Sequence, residues 1–155
     1  MALFDACRNG NLNNVKCLIG EGINFNEKDK HGQTCLFTTC YHGKLDIVKY
    51  LIEELGLSVN EIDKYGQTCL FLACSGGRVD VVKYLVEEKQ LDINKRNNDS
   101  NRCLSSACLG INDSLGVIEY LLKNNIIVDD DILEWINDSL NENLKKVFTL
   151  YMLPL

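Results

Sequence analysis

The chain has two histidines, His31 and His42, and eight cysteines. Together with the run Asp129-Asp130-Asp131, these are the residues that could do nucleophilic or metal chemistry. Cys40 and His42 are close enough in sequence to suggest a thiolate with an imidazole base. On one helix, however, positions two apart diverge by about 200°. A cysteine facing the interior leaves His42 facing out, so no catalytic residue is assigned. Zinc would require close pairs such as C-x-x-C with distant partners, and the sequence has none. The aspartate run lacks the alternate spacing of a calcium loop and suits a helix start, where the dipole favours negative charge. No metal ligand and no cofactor is expected, and there is no phosphate-binding glycine loop.

The cysteines follow a period. Cys35, Cys69 and Cys103 share one position, and Cys7, Cys40, Cys74 and Cys108 share another. Equivalent positions on stacked helices lie roughly 8–10 Å apart, whereas a disulfide needs Cα atoms within about 7 Å. Within a unit, Cys35 and Cys40 sit about 140° apart round one helix. The expectation is that the cysteines are small, reduced core fillers. Redox sensing is the competing reading, and thiol labelling of the folded protein separates the two.

The elements that would hold these residues are repeated. Asp29 to Asn60 (DKHGQTCLFTTCYHGKLDIVKYLIEELGLSVN) is nearly rewritten from Asp63 to Asn94, with an offset of 34 residues. Such a period indicates stacked supersecondary units rather than one globular core. Each unit opens with a turn in which Asp bonds nearby backbone and Gly supplies positive φ (Asp29–Gly32, Asp63–Gly66). Thr34 and Thr68 then stand as helix N-caps. A short helix follows, over about 35–41 or 69–75, and a second starts near Leu45 or Val79. The second helix carries apolar doublets, Ile47-Val48 with Leu51-Ile52 and Val81-Val82 with Leu85-Val86. These cover an arc of about 140°, wide enough to touch the helices before and after. Lys49 and Lys83 fall outside it, in water.

The expected units are residues 1–28, 29–62, 63–96, 97–128 and 129–155. The first replaces apolar residues by Asp5 and Asn14 on its outer side, as a terminal repeat must, so the array is expected to start at Met1. The fourth has drifted. Asn97 and Ser100 replace the turn's Asp and Gly, Arg102 replaces the capping Thr, and two residues are inserted between its helices. Ser in a left-handed turn costs about 1–2 kcal/mol, so this turn should be looser or differently shaped. The last unit reads as a closing cap of two helices packed through Trp135, Ile136, Leu144, Val147 and Phe148. In it Lys145 stands where Val48 and Val82 do, and Pro154 ends the array.

A net charge of −6 argues against coating nucleic acid, whose phosphates demand a basic field. No apolar run approaches the roughly 20 residues that cross a bilayer, and the start carries no signal-peptide pattern. An intracellular, cytoplasmic monomer without membrane insertion is expected.

Period, turn and doublets together resemble the ankyrin repeat, D-x-x-G-x-T-P-L-H-x-A-A-x-x-G-H-x-x-V-V-x-x-L-L. The matching residues are Asp29, Gly32, Thr34, Leu36, Gly43, Val48, Leu51 and Asn60, then Asp63, Gly66, Thr68, Leu70, Ala73, Val82, Leu85 and Asn94. The motif's Pro is Cys35, Cys69 and Cys103 here, and its His is Phe37, Phe71 and Ser105. The family's Thr–His hydrogen bonding is therefore absent, and Phe is expected to pack in its place. Units of 34 with joins like LIEELGLSVN resemble those of ankyrin proteins of protists, large DNA viruses and intracellular bacteria.

The resemblance implies an all-α solenoid of stacked helix-turn-helix units with projecting β-turn fingers. It also implies a non-enzymatic scaffold that binds another protein through its finger tips and concave face, as an adaptor, inhibitor or targeting module. The residues at those positions are Lys28, Lys30, His31 and Gln33; Ile62, Lys64, Tyr65 and Gln67; Arg96, Asn98, Asp99 and Asn101; and, on the inner helices, Arg8, Asn9, Tyr41, His42, Ser75, Gly76 and Leu109. Tyr41 and Tyr65 are the expected anchors. Lys28, Lys30, Lys64 and Arg96 would draw in an acidic or mixed-charge segment. The alternative reading makes the chain the N-terminal recognition domain of a larger protein-modifying enzyme.

Overall fold

The protein is described by a computed structural model that covers residues 2–110 and 114–152. Met1, Pro154 and most of the fourth unit's insertion lie outside the described residues, so the expected start and stop of the array do too. Among the described residues there are ten α-helices and no strand. They come in pairs: α1 (Ala2–Asn9) with α2 (Leu12–Gly20), α3 (Cys35–His42) with α4 (Leu45–Lys49), α5 (Cys69–Ser75) with α6 (Val79–Lys83), α7 (Cys103–Leu109) with α8 (Leu115–Lys123), and α9 (Asp130–Asp138) with α10 (Glu142–Met152).

The first helices α1, α3, α5 and α7 stack side by side, each on the one before. Cys35-Leu36-Phe37 and Cys69-Leu70-Phe71 are buried between them, so Phe does fill the place of the motif's His. The doublets seal the second layer: Ile47, Val48, Leu51, Val81, Val82, Leu85, Val117, Ile118 and Leu121 are all at most 2% exposed. At roughly 1.5–3 kcal/mol for each large side chain removed from water, this one continuous seam is the main stabilising term. On the first unit's outer side, Asp5 and Asn14 are exposed. Lys49 stands outside the arc with its side chain 42% exposed, its ammonium 5.0 Å from the centre of the Tyr84 ring.

The 34-residue period has a local cause. After Lys49 and Lys83 the second helix widens into a π turn, Tyr50–Glu54 and Tyr84–Glu88, closed by Leu55 N–H to Tyr50 O and Lys89 N–H to Tyr84 O, both 3.2 Å. A π turn accommodates one extra residue in a helix. The first and fourth units have none. Ile23 and Ile126 there bond back five residues, to Leu18 and Leu121, while Leu57 and Leu91 bond back six, to Leu51 and Leu85. The insertion is taken up at the outer, solvent-facing helix and leaves the stacking register unchanged.

Thr34 and Thr68 occupy the N-cap positions of α3 and α5, but neither hydroxyl makes a capping bond. Both side chains are buried instead. The expectation for the fourth turn is also corrected. Ser100 adopts the left-handed backbone (φ 64°) of Gly32 (81°) and Gly66 (74°). Asn97 Oδ1 accepts from the backbone N–H of Asp99 (3.1 Å) and Asn101 (2.9 Å), as Asp29 Oδ1 does from His31 (2.8 Å) and Gln33 (2.9 Å). An amide oxygen substitutes for the carboxylate, and the turn keeps its shape with the strain in it.

In the last unit Ile132, Ile136, Leu144 and Phe148 are buried, but Trp135 is 37% exposed and does not pack as expected. Leu140, Leu150 and Met152 are also exposed. Lys145 is ion-paired with Glu142 at 3.9 Å. Asp129 takes the N-cap position of α9 without capping it. Its carboxylate instead receives the guanidinium of buried Arg102, the residue in the Thr position, and that of Arg96 at 2.8 Å. This ties the fourth unit to the fifth.

Candidate partner-binding face

The three turns project as fingers: Asp29–Gln33, Asp63–Gln67 and Asn97–Asn101. Backbone bonds join them in sequence, Lys64 N–H to His31 O (2.9 Å) and Asn98 N–H to Tyr65 O (3.0 Å). Side chains reinforce the same rungs. Lys64 Nζ donates to Lys30 O at 2.7 Å, Asn98 Nδ2 to Lys64 O at 3.0 Å, and Gln33 Nε2 to the Asp63 carboxylate at 2.7 Å. His31 Nδ1 meets the Tyr65 hydroxyl at 3.1 Å. Several residues at expected contact positions therefore also hold the fingers together.

The cations at the tips differ in freedom. Lys28 pairs with Glu61 at 2.9 Å, and Arg96 is taken by Asp129 and the Ser100 carbonyl. Lys30 is exposed, and Lys64 is exposed with its charge held against a neutral carbonyl. The positive field at the fingers rests on Lys30 and Lys64.

The C-terminal ends of the inner helices carry the other expected contact positions. Tyr41, His42 and Ser75 are half-buried there, and Tyr41 and His42 meet edge to face at 5.1 Å. His42 is held below its ordinary pKa, first by burial and then by Arg8, Arg78 and Lys44. Arg78 packs over Gly43 and donates from Nε to Tyr41 O at 2.9 Å, at the C-terminal end of α3. Ile62 (50% exposed), Tyr65 (47%) and Leu109 (59%) are large apolar side chains left open at finger and inner-helix positions. Between the second and third fingers lies a pocket of about 240 Å³ lined by Gln67, Ser75, Asp99, Asn101 and Leu109 and also by Leu72, Ser105 and Ser106. The last three were not singled out from sequence. The signal was available, since Leu72 and Ser106 lie one helical turn before Ser75 and Leu109 and so share their helix face.

Cys40 is fully buried, its thiol raised well above the usual range chiefly by burial, and no hydrogen bond joins it to His42. All eight cysteines are free. Cys35, Cys69 and Cys103 give their thiols to the carbonyls of Phe25, Val59 and Ile93, at 3.5, 3.7 and 3.2 Å. Cys17 departs from the core-filler expectation, being exposed on α2. Among the described residues no group of three His, Cys, Asp or Glu side chains could hold a metal, and no helix is long and apolar enough to cross a membrane.

Stacked helical hairpins with hydrogen-bonded fingers over a groove define a repeat solenoid. The family model for ankyrin repeats (three copies) matches residues 3–97 and 55–131, and the chain belongs to the ankyrin-repeat family. No curated protein matches it. Ankyrin repeats are generally protein–protein interaction modules, and proteins built from them are typically non-enzymatic scaffolds.

Proposed function

We infer that this chain binds a partner protein in the groove between its fingers and inner helices, acting as an adaptor, inhibitor or targeting module. The observation that carries this reading is that Ile62, Tyr65 and Leu109, all large, stand exposed at finger and inner-helix positions. Aromatic side chains concentrate binding energy, and Tyr65 with half-buried Tyr41 supplies the anchors. Lys30 and Lys64 steer an acidic or mixed-charge segment toward them.

The test is affinity capture from the source cell's lysate, run in parallel with a folded Tyr41→Ala/Tyr65→Ala/Lys64→Glu variant. A protein held by the native chain and lost by the variant supports the reading. Equal capture by both sinks it. Once the partner is in hand, charge reversal at Lys30 and Lys64 should slow association, more so at low salt.

A further inference from the structure

The fingers are not equivalent in charge. By period, Lys30, Lys64 and Asn98 share one position, and His31, Tyr65 and Asp99 share the next. At these two positions the groove edge thus changes from a lysine at each of the first two fingers to an aspartate at the third. Among the described residues no ion pair engages the Asp99 carboxylate. Neighbouring Arg96 gives its guanidinium to Asp129 at 2.8 Å and to the Ser100 carbonyl. Among the described residues Asp99 is held by its backbone, its N–H donating to Asn97 Oδ1 at 3.1 Å.

That carboxylate lines the pocket of about 240 Å³ between the second and third fingers. Phe71, Leu72 and Leu109 supply apolar lining, and the remaining lining side chains are uncharged amides and hydroxyls. One carboxylate beside apolar surface suits a side chain with a long apolar stem and a cationic head. The geometry points to a socket for a single lysine or arginine of the bound segment, its methylenes along Leu72 and Leu109 and its head on Asp99. The inference rests on the partner-binding reading and gives the partner a direction. Its acidic stretch lies at the first two fingers, and its basic residue enters at the third.

Random dodecapeptides displayed on phage and selected on the whole chain test this without knowing the partner. The selected peptides should carry Lys or Arg at one fixed place. Changing that residue to Gln should weaken binding roughly three- to tenfold. Asp99→Asn should do the same, and the two changes together should cost little more than either alone. Leu109→Ala, at an exposed position that does not endanger the fold, should also weaken binding; circular dichroism checks each variant. Peptides that need Tyr41 and Tyr65 yet show no basic preference, or bind Asp99→Asn as tightly, overturn the socket and leave the groove standing. Peptides that ignore Tyr41→Ala/Tyr65→Ala, or the absence of any selected peptide, overturn the groove and the socket with it.

Discussion

Ser100 carries more strain than its neighbours in the stack. Its φ of 64° lies where a Cβ is crowded, at a cost of about 1–2 kcal/mol for a non-glycine residue. Ser100→Gly should therefore raise stability by about 1 kcal/mol, less a small unfolded-state entropy term, and lift the thermal midpoint by a few degrees. Gly66→Ser should not mirror it, because an added Cβ at Gly66 would lie 2.3 Å from Asn98 Oδ1. Thiols offer a second residue-scale check. Burial holds most of them inert and pushes Cys108 up to about 12. The native protein should then give one accessible equivalent with a maleimide, from exposed Cys17, slowed by the Glu21 carboxylate that raises its thiol, and none in Cys17→Ser. Several reactive equivalents would mean that the buried thiols open readily and would revive redox sensing.

At the scale of elements, the joins between units matter most. Arg102 and Asp129 link α7 to the last pair, and the Arg102 side chain is only 8% exposed. Asp129→Asn would strand that buried cation and should cost about 3 kcal/mol at neutral pH, while Arg102→Met/Asp129→Asn should recover much of the loss. The Asp129 carboxyl sits below its ordinary range, chiefly because Arg102 bonds to it. A depressed folded pKa stabilises above the unfolded value and loses that contribution as pH falls through the folded one. Denaturant midpoints of the native chain should accordingly drop below about pH 4, and the double variant should show a shallower fall. The helix pairs, turns and doublets were legible because period and turn chemistry are local. The Arg102–Asp129 link was not, since it joins positions 27 apart that belong to no repeat pattern. The π turns announced themselves only as a 34-residue period. Deleting Glu54, an exposed residue in the first π turn, should return that helix to α geometry and leave the fold intact by circular dichroism. The site was legible as register and not as bonding. Sequence places Lys64, Gln33 and Asn98 on the fingers, but only coordinates show that they bond their neighbours.

Over the whole molecule, a stack in which each unit touches only its neighbours need not unfold all at once. Its two ends are unlike. Units two to four are joined twice, through the inner helices and through the finger ladder. The last pair begins without a finger, leaves Leu140, Leu150 and Met152 exposed, and holds to the fourth unit through α8–α10 packing and the Arg102–Asp129 link. It is also the acidic end: residues 129–155 hold six acidic and two basic side chains, a net −4 of the chain's −6. Repulsion among these carboxylates opposes compaction there. Native-state hydrogen exchange should show α9 and α10 opening at lower free energy than α3 to α6, by about 2 kcal/mol or more, with the gap narrowing in added salt as repulsion is screened. Equal protection across all ten helices would mean that the terminal pair shares the full cooperativity of the stack. A partner held by the first three fingers would then feel any change in the last unit as strongly as one in its own groove. If the gradient is found, the groove of units two to four stays formed while the C-terminal pair opens, and the binding face keeps its shape independently of that end.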